Sequence, residues 1–247
     1  MQTIQIIQEK IENYTLNHDY KPIEITVNIR SPLYTSSPYI FLDGILSYLC
    51  LREALGEDYW SLPTDYTVDI SKLDIPLKQT HDMYHCSVGL YNKPYLRKDI
   101  VYKRFTDKET RHLTKKQQKG RIRTNSGHYK DKIIQLPLVL TDKITWYANG
   151  DKQEIQRLLE HLTHIGKKTS IGGGYIKNIE INETEEDYSF MKNNKLISII
   201  PTKYYKQPPK NGDEFKSRTY KPPYWDATQK TICIVPNNQL IENIIKI

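Results

Sequence analysis

The chain has 247 residues, 38% of them hydrophobic, with 36 Lys/Arg against 29 Asp/Glu and a net charge of +7. No apolar run approaches the ~20 residues of a membrane helix, the N-terminus lacks a signal-peptide pattern, and the three cysteines match no metal or redox spacing. We therefore expect a cytoplasmic globular protein without membrane contact, disulfides, bound metal or cofactor.

The positive charge is concentrated in one segment, residues 93–132. This segment holds fourteen Lys/Arg and four Asp/Glu, a local charge of +10, so the rest of the chain carries −3. A concentrated patch of this kind suits a polyanionic partner. Because no apolar periodicity is sustained here, we predict a long basic hairpin or loop that projects from the core. A solvated loop with no partner is the alternative.

In the first part of the chain, apolar residues at helical spacing predict a short helix within residues 1–12. Clean apolar–polar alternation over residues 23–29 predicts a half-buried strand. A helix is expected over residues 41–55, with Gly56 as its stop, and a second strand over residues 84–91.

After the basic segment, β-prone apolar runs predict strands at residues 133–140 and 144–147, followed by a turn at 149–150. Further strands are expected at residues 175–181 and 231–235.

Between these strands, Asp151 and Glu154 have the spacing of a capping box, so a helix should begin here. Apolar residues recur at helical spacing as far as Ile165, and Gly166 is expected to end this helix.

The order strand, helix, strand, strands, helix, strand is that of an α+β domain of ferredoxin-like (RRM-like) fold. We assign residues 22–182 to this domain, with the basic insertion at about 93–132 inside it. Residues 1–21 form an N-terminal helical extension, and residues 183–247 a C-terminal β extension packed on the same domain. The Lys- and Tyr-rich tail is either a second nucleic-acid contact or a linker.

The most informative segment is the glycine loop, residues 164–175. Gly172, Gly173 and Gly174 carry no Cβ, so we expect a phosphodiester chain to approach the peptide N–H groups there. Lys167 and Lys168 stand just upstream. The loop follows a helix, whereas a nucleotide-binding P-loop follows a strand, and this excludes ATP binding. A bare turn into the next strand is the alternative.

The glycine loop resembles that of RAMP proteins, the RNA-binding proteins of CRISPR systems. More narrowly, the chain resembles the RAMP subunit of type IV CRISPR effector complexes that caps the 5′ handle of the guide RNA. Further segments that carry this resemblance are Leu42-Asp43-Gly44-Ile45-Leu46, Ser126-Gly127-His128-Tyr129-Lys130, Trp146-Tyr147-Ala148-Asn149-Gly150-Asp151 and Pro222-Pro223-Tyr224-Trp225, with Cys233 and Pro236. The resemblance spans residues 23–236 and leaves the N-terminal helix outside.

The resemblance implies a non-catalytic subunit that binds the handle of the guide RNA (crRNA) and nucleates a backbone filament, beside a backbone RAMP subunit and a large subunit. By position, the residues that would lie against handle phosphates are Lys167, Lys168, Thr169, Ser170, Gly172, Gly173, Gly174 and Tyr175. Those of a thumb-like hairpin that inserts between guide nucleotides or grips the backbone subunit are Arg121, Arg123, His128 and Lys130. Tyr129 would stack on an unpaired base.

Two alternatives remain open. Some relatives cut precursor guide RNA without metal, which needs a general base such as histidine. The candidate bases here are His85, His112, His128, His161 and His164, with Tyr84 or Lys130 as helpers. The basic hairpin would equally suit target DNA within an effector complex, because sequence does not separate RNA phosphates from DNA phosphates.

Overall fold

The computed structural model describes residues 2–35, 37–62, 68–106, 108, 112, 123–127, 129–205 and 214–236. The α-helices within these ranges are α1 (Gln2–Glu12), α2 (Leu42–Leu55) and α3 (Lys152–Leu159). The strands are β1 (Tyr20–Ile29), β2 (Leu33–Tyr34), β3 (Gln79–Thr80), β4 (Met83–Tyr84), β5 (Leu90–Tyr91), β6 (Tyr95–Lys103), β7 (Lys132–Leu140), β8 (Lys143–Asp151), β9 (Ile176–Glu183), β10 (Met191–Lys192), β11 (Lys195–Leu196), β12 (Ile200–Pro201), β13 (Glu214–Arg218) and β14 (Thr231–Val235). None of the described helices is long and apolar enough to cross a membrane.

The central sheet has four antiparallel strands in the order β5-β8-β1-β9. In β1, every second residue from Ile23 to Ile29 is buried, as the alternation in the sequence predicts. Ile25 pairs with Trp146 on one side and with Ile181 on the other. The element order along this sheet is β1, α2, β5, β8, α3, β9, so the predicted order of strands and helices is found.

The helices pack on this sheet and form a hydrophobic core with it. Helix α2 contributes Leu46 and Cys50, and α3 contributes Ile155 and Leu158. The predicted N-terminal helix is present, and its Ile7 and Ile11 lie in the same core. Burying a side chain of this size stabilises the fold by about 1.5–3 kcal/mol relative to exposure.

The basic segment starts with one strand of a β-hairpin, β6, and ends where the other strand, β7, begins. Strand β6 pairs with β7 in continuous antiparallel register from Tyr95–Leu140 to Lys103–Lys132, and β2 pairs along the other edge of β7. The hairpin therefore has ordered arms, although the sequence of β6 shows no clean apolar alternation. Its burial pattern explains why, because β6 exposes side chains on both faces.

The tail adds a three-stranded antiparallel sheet in the order β12-β14-β13. A second cluster of buried residues, including Tyr39, Val88, Ile199 and Cys233, joins this tail to the segment that precedes α2. The closing strand expected at residues 231–235 is confirmed as β14.

Three predicted local features are wrong. Residues 149–150 continue β8 rather than turn, and a Cβ on Gly150 would lie 2.5 Å from the carbonyl oxygen of Pro76. Helix α3 ends at Leu159, because the backbone at 163–165 bonds to residues 174–176 instead of continuing the helix. The strand expected at 84–91 is not continuous: its two ends lie in β4 and β5, and between them Cys86 and Val88 form isolated bridges to Ala148 and Phe41.

Candidate nucleic-acid interface

The glycine loop is held in place by its own backbone. Ile165 N–H donates to the carbonyl oxygen of Gly174 at 2.9 Å, and Lys167 N–H donates to that of Tyr34 at 2.8 Å. Ser31 adds a bridge, since its hydroxyl donates to Gly172 O at 2.6 Å and accepts from Tyr175 N–H at 2.7 Å. The loop is thereby fixed against the segment that follows β1.

The three consecutive glycines do not offer their N–H groups to a ligand. Gly172 N–H donates to Thr169 O, Gly173 N–H to Lys168 O and Gly174 N–H to Pro32 O, at 2.8–3.1 Å. The expectation that these N–H groups face a phosphate is therefore corrected by the geometry. Their donors are consumed inside the fold, where an unpaired N–H would be costly.

The glycines are required for close packing of the chain on itself. A Cβ on Gly174, where φ is +65°, would lie 1.8 Å from the carbonyl oxygen of Ile165. A Cβ on Gly173 would lie 2.7 Å from the ring of Tyr34. Gly172 also has a positive φ, but a Cβ there would meet nothing within 4 Å. Two of the three positions thus exclude any side chain on steric grounds.

The donors left over lie just upstream of the glycines. The N–H groups of Gly166, Lys168, Thr169 and Ser170 find no acceptor in the part of the chain that the structure describes. Lys168 adopts the left-handed conformation with φ +60°, and a one-turn 3-10 helix follows it at Thr169–Ile171. Successive N–H groups around a left-handed residue form the kind of concavity that binds anions.

Two of these donor residues, Gly166 and Thr169, line a groove of about 610 Å³. One wall, the loop wall, is residues 161–167 with Thr169, and it includes His161, His164 and Lys167. The other wall, the helix wall, is formed by α2 and the aromatic residues beside it. None of the described residues that line the groove is acidic, whereas Arg52 and Lys167 are cations. The groove therefore presents positive charge and aromatic surface together. The residues of the helix wall are Tyr39, Phe41, Gly44, Ile45, Tyr48, Leu49, Arg52 and Tyr224.

The helix wall joins two of the segments that carry the sequence resemblance. Asp43, at the start of α2, is 2% exposed and accepts hydrogen bonds from the Tyr224 hydroxyl at 2.7 and 2.8 Å. The Tyr224 ring stacks on Phe41 with centroids 3.7 Å apart, and Gly44 leaves room for it. Burial raises the pKa of Asp43 to about 7, although the bond from Tyr224 opposes that shift. Sequence reasoning missed this junction, because Asp43 and Tyr224 lie 181 positions apart.

The predicted hairpin residues that the structure describes, Arg123, Tyr129 and Lys130, lie beyond the paired part of the hairpin. Arg121 and His128 lie outside the described residues. Arg123 and Lys130 are exposed, and the Tyr129 ring lies 4.8 Å from that of Phe105. Arg123, Tyr129 and Lys130 lie between β6 and β7 in sequence, beyond the last pair of the hairpin, Lys103–Lys132.

The hairpin is linked to the glycine loop through Tyr34 of β2. The Tyr34 hydroxyl donates to Asp99 of β6 at 2.5 Å, while its carbonyl accepts from Lys167 N–H. Tyr34 pairs with Leu138, which pairs with Arg97, so the loop lies level with that rung. From there to Lys103 the strand runs about 20 Å at ~3.3 Å per residue. The structure therefore separates the two predicted contact regions.

The candidate histidines fall into different settings. His161 and His164 both line the groove, and the His164 ring lies 5.2 Å from that of Tyr175. His85 is held between the Thr80 hydroxyl at 2.7 Å and the Asp187 carboxylate at 3.4 Å. His112 is exposed. Among the described residues, no group of three or more His, Cys, Asp or Glu side chains is placed to hold a metal.

The basic tail surface is partly neutralised from within. Asp82 accepts from the Tyr220 hydroxyl at 2.6 Å and from Lys221 at 3.0 Å, and Lys203 lies 3.6 Å away. Although burial acts to raise it, these hydrogen bonds hold the pKa of Asp82 well below its usual range. Lys203 and Lys221 are therefore less available to a polyanion than the lysines of the glycine loop.

Comparison with known proteins gives several structural matches and a family match. A solved structure described as "Cryo-EM structure of the Type III-B Cmr-beta bound to cognate target RNA" matches with a TM-score of 0.36 and 8% identity. The alignment covers 74% of this chain and 66% of the other, so this chain spans just under two thirds of that length. No curated protein matches. Residues 21–236 match the family "CRISPR type IV associated protein Csf3", which confirms the predicted family and leaves α1 outside the match. The chain belongs to the Csf3 family of type IV CRISPR-associated proteins.

Proposed function

We propose that this chain is the subunit of a type IV CRISPR effector complex that binds the 5′ handle of the guide RNA. One observation carries the proposal: N–H donors without acceptors in the described chain lie beside two lysines, at the edge of a groove whose described lining residues include no acid. Membership of the Csf3 family supports the setting in a CRISPR complex.

The contact to the RNA would be made mainly by residues 166–170. The N–H groups of Lys168, Thr169 and Ser170 would donate to one phosphate, and the Lys167 and Lys168 side chains would neutralise its neighbours. Gly172, Gly173 and Gly174 would act by fixing the loop rather than by touching the RNA. Tyr175 is exposed beside His164, so its ring is free to stack on a base.

We assign the domain to the ferredoxin-like RAMP fold. The strand order β5-β8-β1-β9, with α2 and α3 as the connecting helices, supports this assignment. The hairpin of β6 and β7 would serve as a thumb, reaching about 20 Å past the loop toward the next guide nucleotides or the backbone RAMP subunit. In that position it would nucleate the filament beside the large subunit, and target DNA is a further candidate for its charge. Crosslinking of the assembled complex to guide and target strands separates RNA from DNA.

The proposed role is non-catalytic, and the second candidate is a metal-free endoribonuclease. The observation in its favour is that His161 and His164 line the groove where an RNA backbone would lie. A general base near an attacking 2′-hydroxyl needs such a position. Incubation with precursor guide RNA in EDTA tests it: specific cleavage that is lost on His164→Ala supports the enzyme, and binding without cleavage supports the proposed role.

The test of RNA binding is the double variant Lys167→Ala/Lys168→Ala. Handle RNA binding should weaken, and the slope of log affinity against log salt should fall by about 1.4, since each lost phosphate contact on a single strand removes roughly 0.7. Filter binding over a salt series measures both quantities.

The matched control is Lys195→Ala/Lys230→Ala, which removes the same charge at exposed sites outside the groove. If the two double variants lose the same affinity and slope, the loop is only a turn and binding is non-specific.

A further inference from the structure

A second groove lies on the other side of the helix wall. It encloses about 500 Å³ and shares Gly44, Tyr48 and Tyr224 with the groove beside the glycine loop. One side is formed by Tyr48, Tyr59 and Leu62, and the other by the turn at residues 222–225. None of the described residues that line it is acidic. The two grooves are therefore continuous across a ridge of two tyrosine rings.

Two exposed tryptophan rings lie in or beside this second groove. Trp225 lines it and is 71% exposed. Trp60 is 69% exposed, and its ring lies 5.3 Å from that of Tyr59, which lines the groove. Leaving a large apolar ring in water forgoes a large favourable transfer free energy. A cluster of such rings beside a groove is the kind of surface that a ligand with a flat apolar face can cover.

A cation lies beside these rings. The Arg52 guanidinium lies 5.6 Å from the Tyr48 ring centroid and 5.4 Å from that of Trp60, and it donates to the Tyr48 hydroxyl at 3.3 Å. Arg52 lines the first groove, and the Tyr48 ring that it contacts lines both grooves. Flat aromatic rings with an arginine between them suit a planar base attached to a phosphate chain.

We propose that the second groove binds an unpaired nucleobase of the same RNA strand whose phosphates lie on the glycine loop. This inference rests on the proposed function and adds a base-stacking site formed by Tyr48, Trp60 and Trp225. The second groove adjoins the groove beside the glycine loop, and Arg52 lies where the two meet. Both features favour RNA over an apolar protein segment as the occupant. Base stacking of this kind is tolerant of sequence, since every base has a π face.

Tryptophan fluorescence of the full chain tests the site directly. The chain has three tryptophans and Trp146 is fully buried, so quenching by a stacked base reports on Trp60 and Trp225. The probes are a short single-stranded oligoadenylate RNA and an abasic oligomer with the same phosphates. We expect quenching by the oligoadenylate and none by the abasic strand. Trp60→Phe and Trp225→Phe should each remove part of the signal.

The affinity test uses Trp225→Ala, which should weaken oligoadenylate binding on the order of tenfold, the loss typical of one stacked base. Phe215→Ala is the matched control, because it removes another exposed ring, from β13, that lines neither groove. Its affinity should equal that of the wild type.

The outcomes separate this inference from the proposed function. Salt-dependent binding of wild type to oligoadenylate, without base-dependent quenching or loss in Trp225→Ala, overturns the stacking site and leaves the proposed function intact. Unchanged RNA affinity with lost association of partner subunits in Trp225→Ala identifies a protein-docking surface and also overturns it. No binding of RNA by the wild type overturns both.

Discussion

The loop wall and the helix wall of the groove beside the glycine loop are held in place by different means. The loop wall is fixed by backbone hydrogen bonds and by glycines that admit no Cβ, with Ser31 as a supporting side chain. The helix wall is fixed by side chains, above all by the buried contact between Asp43 and Tyr224. The first arrangement contains no titratable group, whereas the second depends on a carboxyl group whose pKa burial raises to about 7.

This difference determines how each wall responds to change. A backbone-held loop presents its donors in a fixed geometry before the RNA arrives, which reduces the entropic cost of binding. The loop wall should keep its geometry when the pH or a surface side chain changes. It should not keep it when a methyl group is added at a glycine that has no room for a Cβ. The helix wall should behave in the opposite way, since its geometry follows the protonation of one buried acid.

The largest effect is expected from Gly174→Ala. The new Cβ would lie 1.8 Å from Ile165 O at a positive φ, so the loop must open. We expect a loss of more than about 4 kcal/mol in the free energy of unfolding, the exceptional range that strained and overpacked sites reach. Urea titration of the purified chain measures it.

Gly172→Ala is the control for steric packing, because its φ is also positive but its Cβ meets nothing within 4 Å. It should cost only about 1 kcal/mol, the penalty for a left-handed alanine. Equal losses in the two variants would mean that backbone conformation, and not close packing, fixes the loop wall.

The second largest effect is a change of stability with pH, and it arises from the helix wall. The pKa of Asp43 rises from 3.8 to about 7 on folding, so between these values the folded chain binds more protons than the unfolded chain. Its contribution to stability is therefore full below pH 4 and is lost as the pH rises toward and past 7. Asp43→Asn should remove this decline, which amounts to up to about 4 kcal/mol. Urea titrations between pH 4 and 8 give the slope.

Tyr224→Phe sharpens the same test. The Tyr224 hydroxyl opposes the rise in the pKa of Asp43, so its removal should raise that pKa further and steepen the loss of stability with pH. If Tyr224→Phe and Asp43→Asn both flatten the pH profile, a group other than Asp43 titrates in this window.

Much of the fold follows from local rules in the sequence. The Asp151 side chain accepts from the N–H groups of Gln153 and Glu154 at 3.0 and 3.1 Å, as its capping-box spacing predicts. The alternation in residues 23–29 gives β1 and its buried face. These features depend on neighbours in sequence, so a single chain suffices to predict them.

The failures have the opposite origin. Gly150 has the residue type of a turn, but its lack of a Cβ is required by Pro76, which approaches from a distant segment. Leu162 and Ile165 keep helical spacing, yet the backbone there bonds to residues 174–176. The same holds at the candidate site. Composition identified the glycine loop, but the N–H groups of Gly174 and Lys167 bond to Pro32 and Tyr34, which no local pattern indicates.

The smallest effect is expected from Tyr34→Phe, which tests how independent the loop wall is of the hairpin. Backbone bonds to Tyr34 O remain in this variant, and only the hydroxyl bond to Asp99 is lost. RNA binding should therefore stay at the wild-type level, while amide hydrogen exchange near Asp99 rises. The Tyr34 hydroxyl holds the pKa of Asp99 below its usual range, so its stabilisation is present at neutral pH and lost as the pH falls through that pKa. This sign is opposite to that of Asp43. The stability difference between wild type and Tyr34→Phe should accordingly shrink in acid, and a difference that grows in acid would contradict the assignment of this bond to the ionised carboxylate.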